Sequence, residues 1–484
     1  MSRNVSAARV ATLVGDFDRS PAYTGLADAL RLLIAEGRIP HDTRLPSERD
    51  LTDAIRVSRT TVTKAYAELR DRGYAVARHG SGTFTRIPGG PRRAPDRILT
   101  PRMTGQQGDL SMIDLNCAAS PAPPGLGAAY AHAVEELPGY LADHGYYLVG
   151  LPELQTRIAA TYEARGLPTE PEQIMVTPGA LAATAIAVRA VTGPGDRVLV
   201  ESPGYPNATR SLAIPANRLV GSPVDIDGWD LAGFAATVRQ TAPRASYTVP
   251  DFQNPTGNLM GDAERAEFAA ILARSRTLAI VDEANQALAL DGQEMPRPLA
   301  AHIEEAGGEA LTVGSASKML WGGLRLGWIR APHSRLDALT NARLTLDLGA
   351  PVVEQLALLH LLKDLDPVLA EHRRLLREQR DHLASALTAQ LPDWSFRLPG
   401  GGLTLWCRLP IAGAGALCLE AEQHGVFLAP GSVFSVDGGY ESFVRIPFTR
   451  PVEELTEAVT RIATAWQTAR TATTRRTPER VMVA

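Results

Sequence analysis

Several hydrophobic periods succeed one another along this chain. Over residues 24–36, Leu26, Leu30, Leu33 and Ile34 recur at helical spacing, and Gly37 and Pro40 end the run. Ser47-Glu-Arg-Asp50 has the form of a capping box opening a short second helix. Ser58 is a good N-cap for a third, which runs through Asp71 and turns Val62, Ala65, Tyr66 and Leu69 inward. After Gly73 come two short strands, 74–77 and 83–85, joined through Arg78-His-Gly-Ser-Gly82 as a β-wing.

Residues 87–112 carry proline, glycine and charge without a period, and read as a linker. From about 113 to 470, strand-like runs at 173–176, 197–201, 245–249, 278–282 and 311–313 alternate with helical stretches. That alternation predicts an α/β domain with a mostly parallel central sheet. Its last part, about 365–470, sets a long charged helix (371–387) beside short strands, a small C-terminal α+β subdomain; 471–484 is a polar tail. No stretch reaches the roughly 18 apolar residues of a membrane span, and no signal peptide is visible. Cys117, Cys407 and Cys418 are scattered without metal-ligand spacing and fit a reducing compartment, so the expected location is cytoplasmic and the expected metal none.

Charge divides the chain. Residues 1–93 hold 16 Lys+Arg against 10 Asp+Glu, a net +6, and the remainder holds 33 against 43, a net −10. A basic head on an acidic body points to a polyanion at the front end. Only three lysines occur, Lys64, Lys318 and Lys363. Arginine cannot give up its proton near neutral pH and so cannot form a Schiff base, whereas lysine can. Each lysine is therefore a candidate for chemistry.

The third helix places Arg59, Thr60 and Thr61 in its first turn, the end that enters a major groove in helix-turn-helix proteins. Arg59 suits guanine edges or phosphate, and the threonines suit phosphates and thymine methyls. Thr63 and Lys64 follow on the outward side, Arg49 on the second helix can hold a phosphate, and His79 and Gly80 form the wing tip. Along 45–84 the order Leu45-Pro-Ser-Glu-Arg49, Val57-Ser-Arg-Thr-Thr-Val62, Gly80-Ser-Gly-Thr-Phe84 resembles the winged helix-turn-helix of GntR-type repressors, which implies a double-stranded DNA operator as partner for residues 20–86.

A second constellation lies in the α/β region. Lys318 follows a buried-looking strand in Ser315-Ala-Ser-Lys318, where an apolar setting lowers the ammonium pKa and frees the amine. Arg325, Ser315 and Ser317 suit a phosphate, as do the amides of Ala180 and Leu181 at a helix start. Asp282 at a strand end suits a pyridine nitrogen, Asn254 a ring hydroxyl, and Tyr205 a ring face. The ordered motifs Gly179-Ala-Leu181, Pro203-Gly-Tyr-Pro206, Asn254-Pro-Thr-Gly257, Asp282-Glu-Ala-Asn285, Ser315-Ala-Ser-Lys318 and Gly323-Leu-Arg-Leu-Gly-Trp328 resemble those of fold-type I aminotransferases over roughly 113–470. The resemblance implies pyridoxal 5'-phosphate on Lys318. It also implies Arg445 as the clamp for a substrate or effector carboxylate, and Tyr146 reaching the phosphate of a second subunit. Asn285 departs from the pattern, because many relatives carry a tyrosine there, and this puts efficient transamination in doubt.

A GntR-like head joined to an aminotransferase-like body is similar to the MocR/GabR-type regulators. That similarity implies a homodimer arranged head-to-tail, and a regulator that senses an amine or amino acid through its Schiff base at Lys318. An active aminotransferase with an appended head, and a regulator of vitamin B6 synthesis that senses the cofactor itself, are the other readings.

Overall fold

The fold is that of a computed structural model, which describes residues 3–474 apart from 36–37, 79, 89–111 and 215. Gly37, His79 and most of the expected linker and tail thus lie outside the described residues. The chain divides into an N-terminal unit, with which Ala122–Ala131 also group, and a larger unit holding the rest.

In the N-terminal unit, β1 (Arg3–Asn4) and α1 (Ala7–Val14) precede the expected three helices, α2 (Ala22–Ala35), α3 (Glu48–Ile55) and α4 (Arg59–Asp71). Strands β2 (Thr43–Arg44), β3 (Ala75–Arg78) and β4 (Gly82–Thr85) complete a four-stranded sheet in the order β1-β2-β4-β3. Ser47 and Ser58 cap α3 and α4, each accepting from the amide three residues on. Val10 and Val14 of α1 join Leu26, Leu30, Leu51, Val62, Tyr66 and Leu69 in one core. The unit therefore begins ahead of residue 20, in elements too short for periodicity to reveal.

The larger unit is built on an eight-stranded sheet. Its strands are β6 (Ile174–Thr177), β7 (Arg197–Ser202), β8 (Arg218–Asp225), β9 (Gly228–Trp229), β10 (Ala245–Thr248), β11 (Leu278–Asp282), β12 (Ala310–Ser315) and β13 (Gly327–Arg330), in the order β6-β13-β12-β11-β10-β7-β8-β9. Contacts from β8 through β7, β10 and β11 to β12 are all parallel, while β13 runs antiparallel to both its neighbours. The runs Val198–Val200, Ala279–Val281 and Leu311–Val313 are buried, as strands covered on both faces require. Parallel strands end on one edge, so Ser202, Thr248, Asp282 and Ser315 gather there, where open α/β sheets bind ligands.

A smaller three-stranded sheet follows, with β14 (Thr404–Arg408), β17 (Phe443–Pro447) and β16 (Ala429–Pro430) antiparallel. The helices Leu365–Gln390 and Val452–Thr474 cover it, packing Leu376, Leu383 and Leu387 with Leu455, Val459 and Ile462. The segment after the linker returns here: β5 (Ile113–Asp114) pairs with β15 (Val426–Phe427). Among the described residues, no helix is long and apolar enough to cross a membrane, and no His/Cys/Asp/Glu group could hold a metal ion.

Candidate functional sites

The cleft in the larger unit is built at the strand ends. Lys318 lies in the single helical turn Ala316–Met319 that follows β12, and its Nζ donates to the Ala118 carbonyl at 2.6 Å. Burial holds its ammonium below the ordinary lysine range; Cys117 and Asp282 oppose this, and Arg445 and Arg325 reinforce it. Ser315 caps that turn by accepting from Ser317 N–H at 3.2 Å. Ser317 Oγ is buried without a hydrogen-bond partner.

Beside it lies an anion cradle. The helix Ala180–Val191 starts after Gly179, whose φ of +98° suits glycine. Its first amides have no carbonyl behind them, which leaves those of Ala180 and Leu181 for a ligand. Arg325 lies across this start: a Cβ on Gly179 would stand 2.7 Å from its guanidinium. A Cβ on Gly327 of β13 would stand 2.7 Å from the Ala180 nitrogen. Glycine at both positions lets the Arg325 guanidinium and β13 come close to the helix start, so amide and guanidinium donors lie together there. That is the donor set a phosphate needs.

Asp282 ends β11. Its Oδ1 accepts from Ala284 N–H at 2.8 Å and its Oδ2 from the hydroxyl of Tyr247 on β10. Burial pushes its carboxyl above the usual range, and Tyr247, Ala284 and Lys318 pull it back. Tyr205 is partly buried and accepts from Asn207 Nδ2 at 3.1 Å. Asn254 Oδ1 accepts from Arg445 at 3.4 Å. Arg445 also donates to the Asn116 carbonyl, stacks 4.9 Å from the Phe434 ring, and leaves Nε buried without a partner. Burial lowers its pKa to about 10. A desolvated guanidinium with a spare donor calls for an anion.

Asn285 is turned away from this chemistry, since its Nδ2 donates to the Phe252 carbonyl at 2.9 Å. Tyr146 is 62% exposed and stacks on His144, outside the cluster. Tyr247, Phe434 and the Asn116–Ala118 strap are the cleft residues that sequence reading missed. Tyr247 reads as an ordinary strand residue, and the other two are distant in sequence from every motif.

In the N-terminal unit, Arg59, Thr60, Thr63 and Lys64 are exposed on α4 and Arg49 on α3. Arg49 makes no ion pair among the described residues. Glu48 ties two of the others: its Oε2 accepts from Thr63 Oγ1 at 2.7 Å and lies 3.8 Å from Arg59 Nε. Lys64 Nζ sits 5.3 Å over the Tyr23 ring. Gly80, at φ +69°, has open space around it. Arg44, absent from the sequence reading, lies beside the wing, its Nε 3.0 Å from a Cβ placed on Gly82.

Comparison with known proteins agrees with this division. The family model "Aminotransferase class I and II" matches residues 144–462, and "Bacterial regulatory proteins, gntR family" matches 22–85. The uncharacterized HTH-type transcriptional regulator YdcR of Escherichia coli strain K12 is 30% identical, across 87% of this chain and 94% of its own length. The probable rhizopine catabolism regulatory protein MocR of Rhizobium meliloti is 28% identical over 77% of this chain and 78% of its own. Among solved structures, the α-aminoadipate aminotransferase LysN of Thermus thermophilus aligns with a TM-score of 0.69 at 26% identity, covering 75% of this chain and 94% of that one.

Proposed function

Because the chain belongs to the MocR-type regulators, with a GntR helix-turn-helix head fused to a fold-type I aminotransferase-like body, we propose that it regulates transcription in response to an amine or amino acid bound in the Lys318 cleft. Pyridoxal 5'-phosphate is the cofactor; bound, it supplies an aldehyde for the lysine amine and a ring that withdraws electrons. Every other part of the reading concerns this chain's own residues. Lys318, whose ammonium form burial disfavours, presents the amine. Asp282 would meet the ring nitrogen, Asn254 the ring hydroxyl and Tyr205 the ring face. Arg325, Ser315, Ser317 and the Ala180 and Leu181 amides would hold the phosphate. Arg445 takes the effector's carboxylate. Exposed Tyr146 reaches the cleft of a second copy in a head-to-tail homodimer.

On the DNA side, Arg59, Thr60, Thr61, Thr63 and Lys64 meet the major groove, with Arg49 on a phosphate and His79 and Gly80 at the wing. An effector changes DNA affinity only as far as it prefers one arrangement of the chain over another.

The observation that carries the reading is the meeting of a partly dehydrated lysine with a glycine-lined anion recess, in a chain that also has a winged helix. The test is titration with the cofactor, followed by absorbance and borohydride reduction. The wild type should take up one covalently reducible equivalent per chain, and Lys318→Ala none while staying folded. Operator affinity, measured by anisotropy with cofactor alone and then with added amino acids, should respond to the amino acid. An adduct unchanged in Lys318→Ala would sink the assignment. Rapid multiple turnover with amino and 2-oxo acids, with no change in DNA binding, would make the chain an aminotransferase instead.

A further inference from the structure

The larger unit holds a second cavity, of about 170 Å³, between the helix Pro152–Ala164, the segment after β11 and the start of the helix Leu365–Gln390. None of Asp282, Asn254, Tyr205, Arg325 and Arg445 lines it.

Its polar content is unbalanced in two ways. Arg165 Nη1 pairs with Glu283 Oε2 at 2.8 Å, which cancels those charges. Glu283 Oε1, on a side chain only 3% exposed, has no hydrogen-bond partner. Burying a carboxylate oxygen unmatched is costly, so the place calls for a donor. Arg373 supplies the second imbalance. Its Nε donates to the Ala287 carbonyl at 2.8 Å, and it makes no ion pair among the described residues. After the Arg165–Glu283 pair cancels, Arg373 is the cation left on the cavity wall; the opposing charge that acts on it is Asp366, on the same helix and outside the lining. The remaining wall mixes apolar groups, Leu362, Leu365 and Met319 among them, with the polar side chains of Thr161 and Gln286.

We propose that this cavity is a binding site for a small organic carboxylate that also bears one hydrogen-bond donor. The carboxylate meets the terminal nitrogens of Arg373, the arrangement guanidinium groups favour. The donor, a hydroxyl or an amine, meets Glu283 Oε1. The short carbon chain lies against the leucines. At about 30 Å³ per water, the volume is that of roughly six waters, room for a short organic acid. Ser315 and Met319 line the cavity as well as flanking Lys318, so an occupant rests against the segment that carries the cofactor lysine.

The test is calorimetric titration of the full cofactor-loaded chain, with the cofactor first reduced onto it by borohydride so that the cleft cannot exchange amines. Three probes are compared: 3-hydroxypropanoate, propanoate without the donor, and propan-1-ol without the carboxylate. The hydroxy acid should saturate one site per chain, propanoate should bind several-fold more weakly, and propan-1-ol at least tenfold more weakly. Arg373→Met should reduce hydroxy-acid affinity at least tenfold, while Arg445→Lys in the cleft leaves it in place. Absence of saturable binding overturns the proposal. So does binding that Arg445→Lys removes and Arg373→Met spares, or equal affinity for all three probes on the wild type. Heat is the readout, so the same titration on unloaded chain keeps the result separate from whether the cofactor loads.

Discussion

Glu201 is a buried carboxylate with four donors and, among the described residues, no ion-pair partner. It accepts from Thr248 Oγ1 at 2.5 Å, Trp229 Nε1 at 2.9 Å, Gln253 Nε2 at 3.0 Å and Val249 N–H at 3.1 Å. Burial outweighs those bonds and pushes its pKa up to about 7. The folded chain therefore holds a proton that the unfolded chain releases near its ordinary value. Stability from this group is full below that ordinary value and is lost as pH rises through about 7. The loss is on the order of 3 kcal/mol. Glu201→Gln should flatten this part of the dependence of Tm on pH, measured from mildly acid to mildly alkaline buffer. Parallel curves for wild type and variant would assign the titration elsewhere. Glu201 was invisible as a titrating residue in the sequence, because nothing in the sequence shows that its strand end is sealed by Trp229 and Gln253. Lys318 was legible because arginine does nearly all the generic basic work in this chain. Asp282 was legible because it closes an unbroken apolar run.

Among elements, α4 and the helix Ala180–Val191 are both proposed to act through their N-termini. Ser58 satisfies the Thr61 amide at 3.0 Å. Ser58→Ala should cost about 1 kcal/mol of stability, read by denaturant unfolding. No change in midpoint would mean that water replaces the cap without loss. The second helix start depends on Gly179. Gly179→Ala puts a side chain at φ +98° and against Arg325. Cofactor affinity should fall at least tenfold, measured by absorbance titration; unchanged affinity would remove the recess as the phosphate site. Caps and strands were legible because Ser47 and Ser58 precede apolar-periodic runs, and because β7, β11 and β12 are short segments rich in apolar and β-branched residues. Elements such as β1 and α1 were not, since pairing with β2 and burial of Val10 arise only in three dimensions.

At the scale of the whole molecule, charge and coupling give the expectations. A head of net +6 on a body of net −10 should bind duplex DNA with an affinity that falls steeply with salt, through release of counterions. A response linking the cleft to DNA must be reciprocal. If an amino acid changes operator affinity by some factor, operator DNA must change that amino acid's affinity by the same factor. Both halves can be measured, one by anisotropy and one by calorimetry, and unequal factors would exclude a single two-state linkage. The ordered motifs made two family resemblances legible in one chain, but connectivity alone could not show that the strap at Asn116–Ala118 folds back onto Lys318 and Arg445.

Glu48 has a final consequence. It ties Thr63 and Arg59 together, yet it sets an acidic group among the residues proposed to meet phosphates. Repulsion from that charge weakens every duplex alike, whatever its bases, while the tie helps only where the correct bases are present. Glu48→Gln should therefore hold random DNA more tightly and tell the operator from it less well. By this account, an acidic residue on the basic head serves discrimination at the expense of grip.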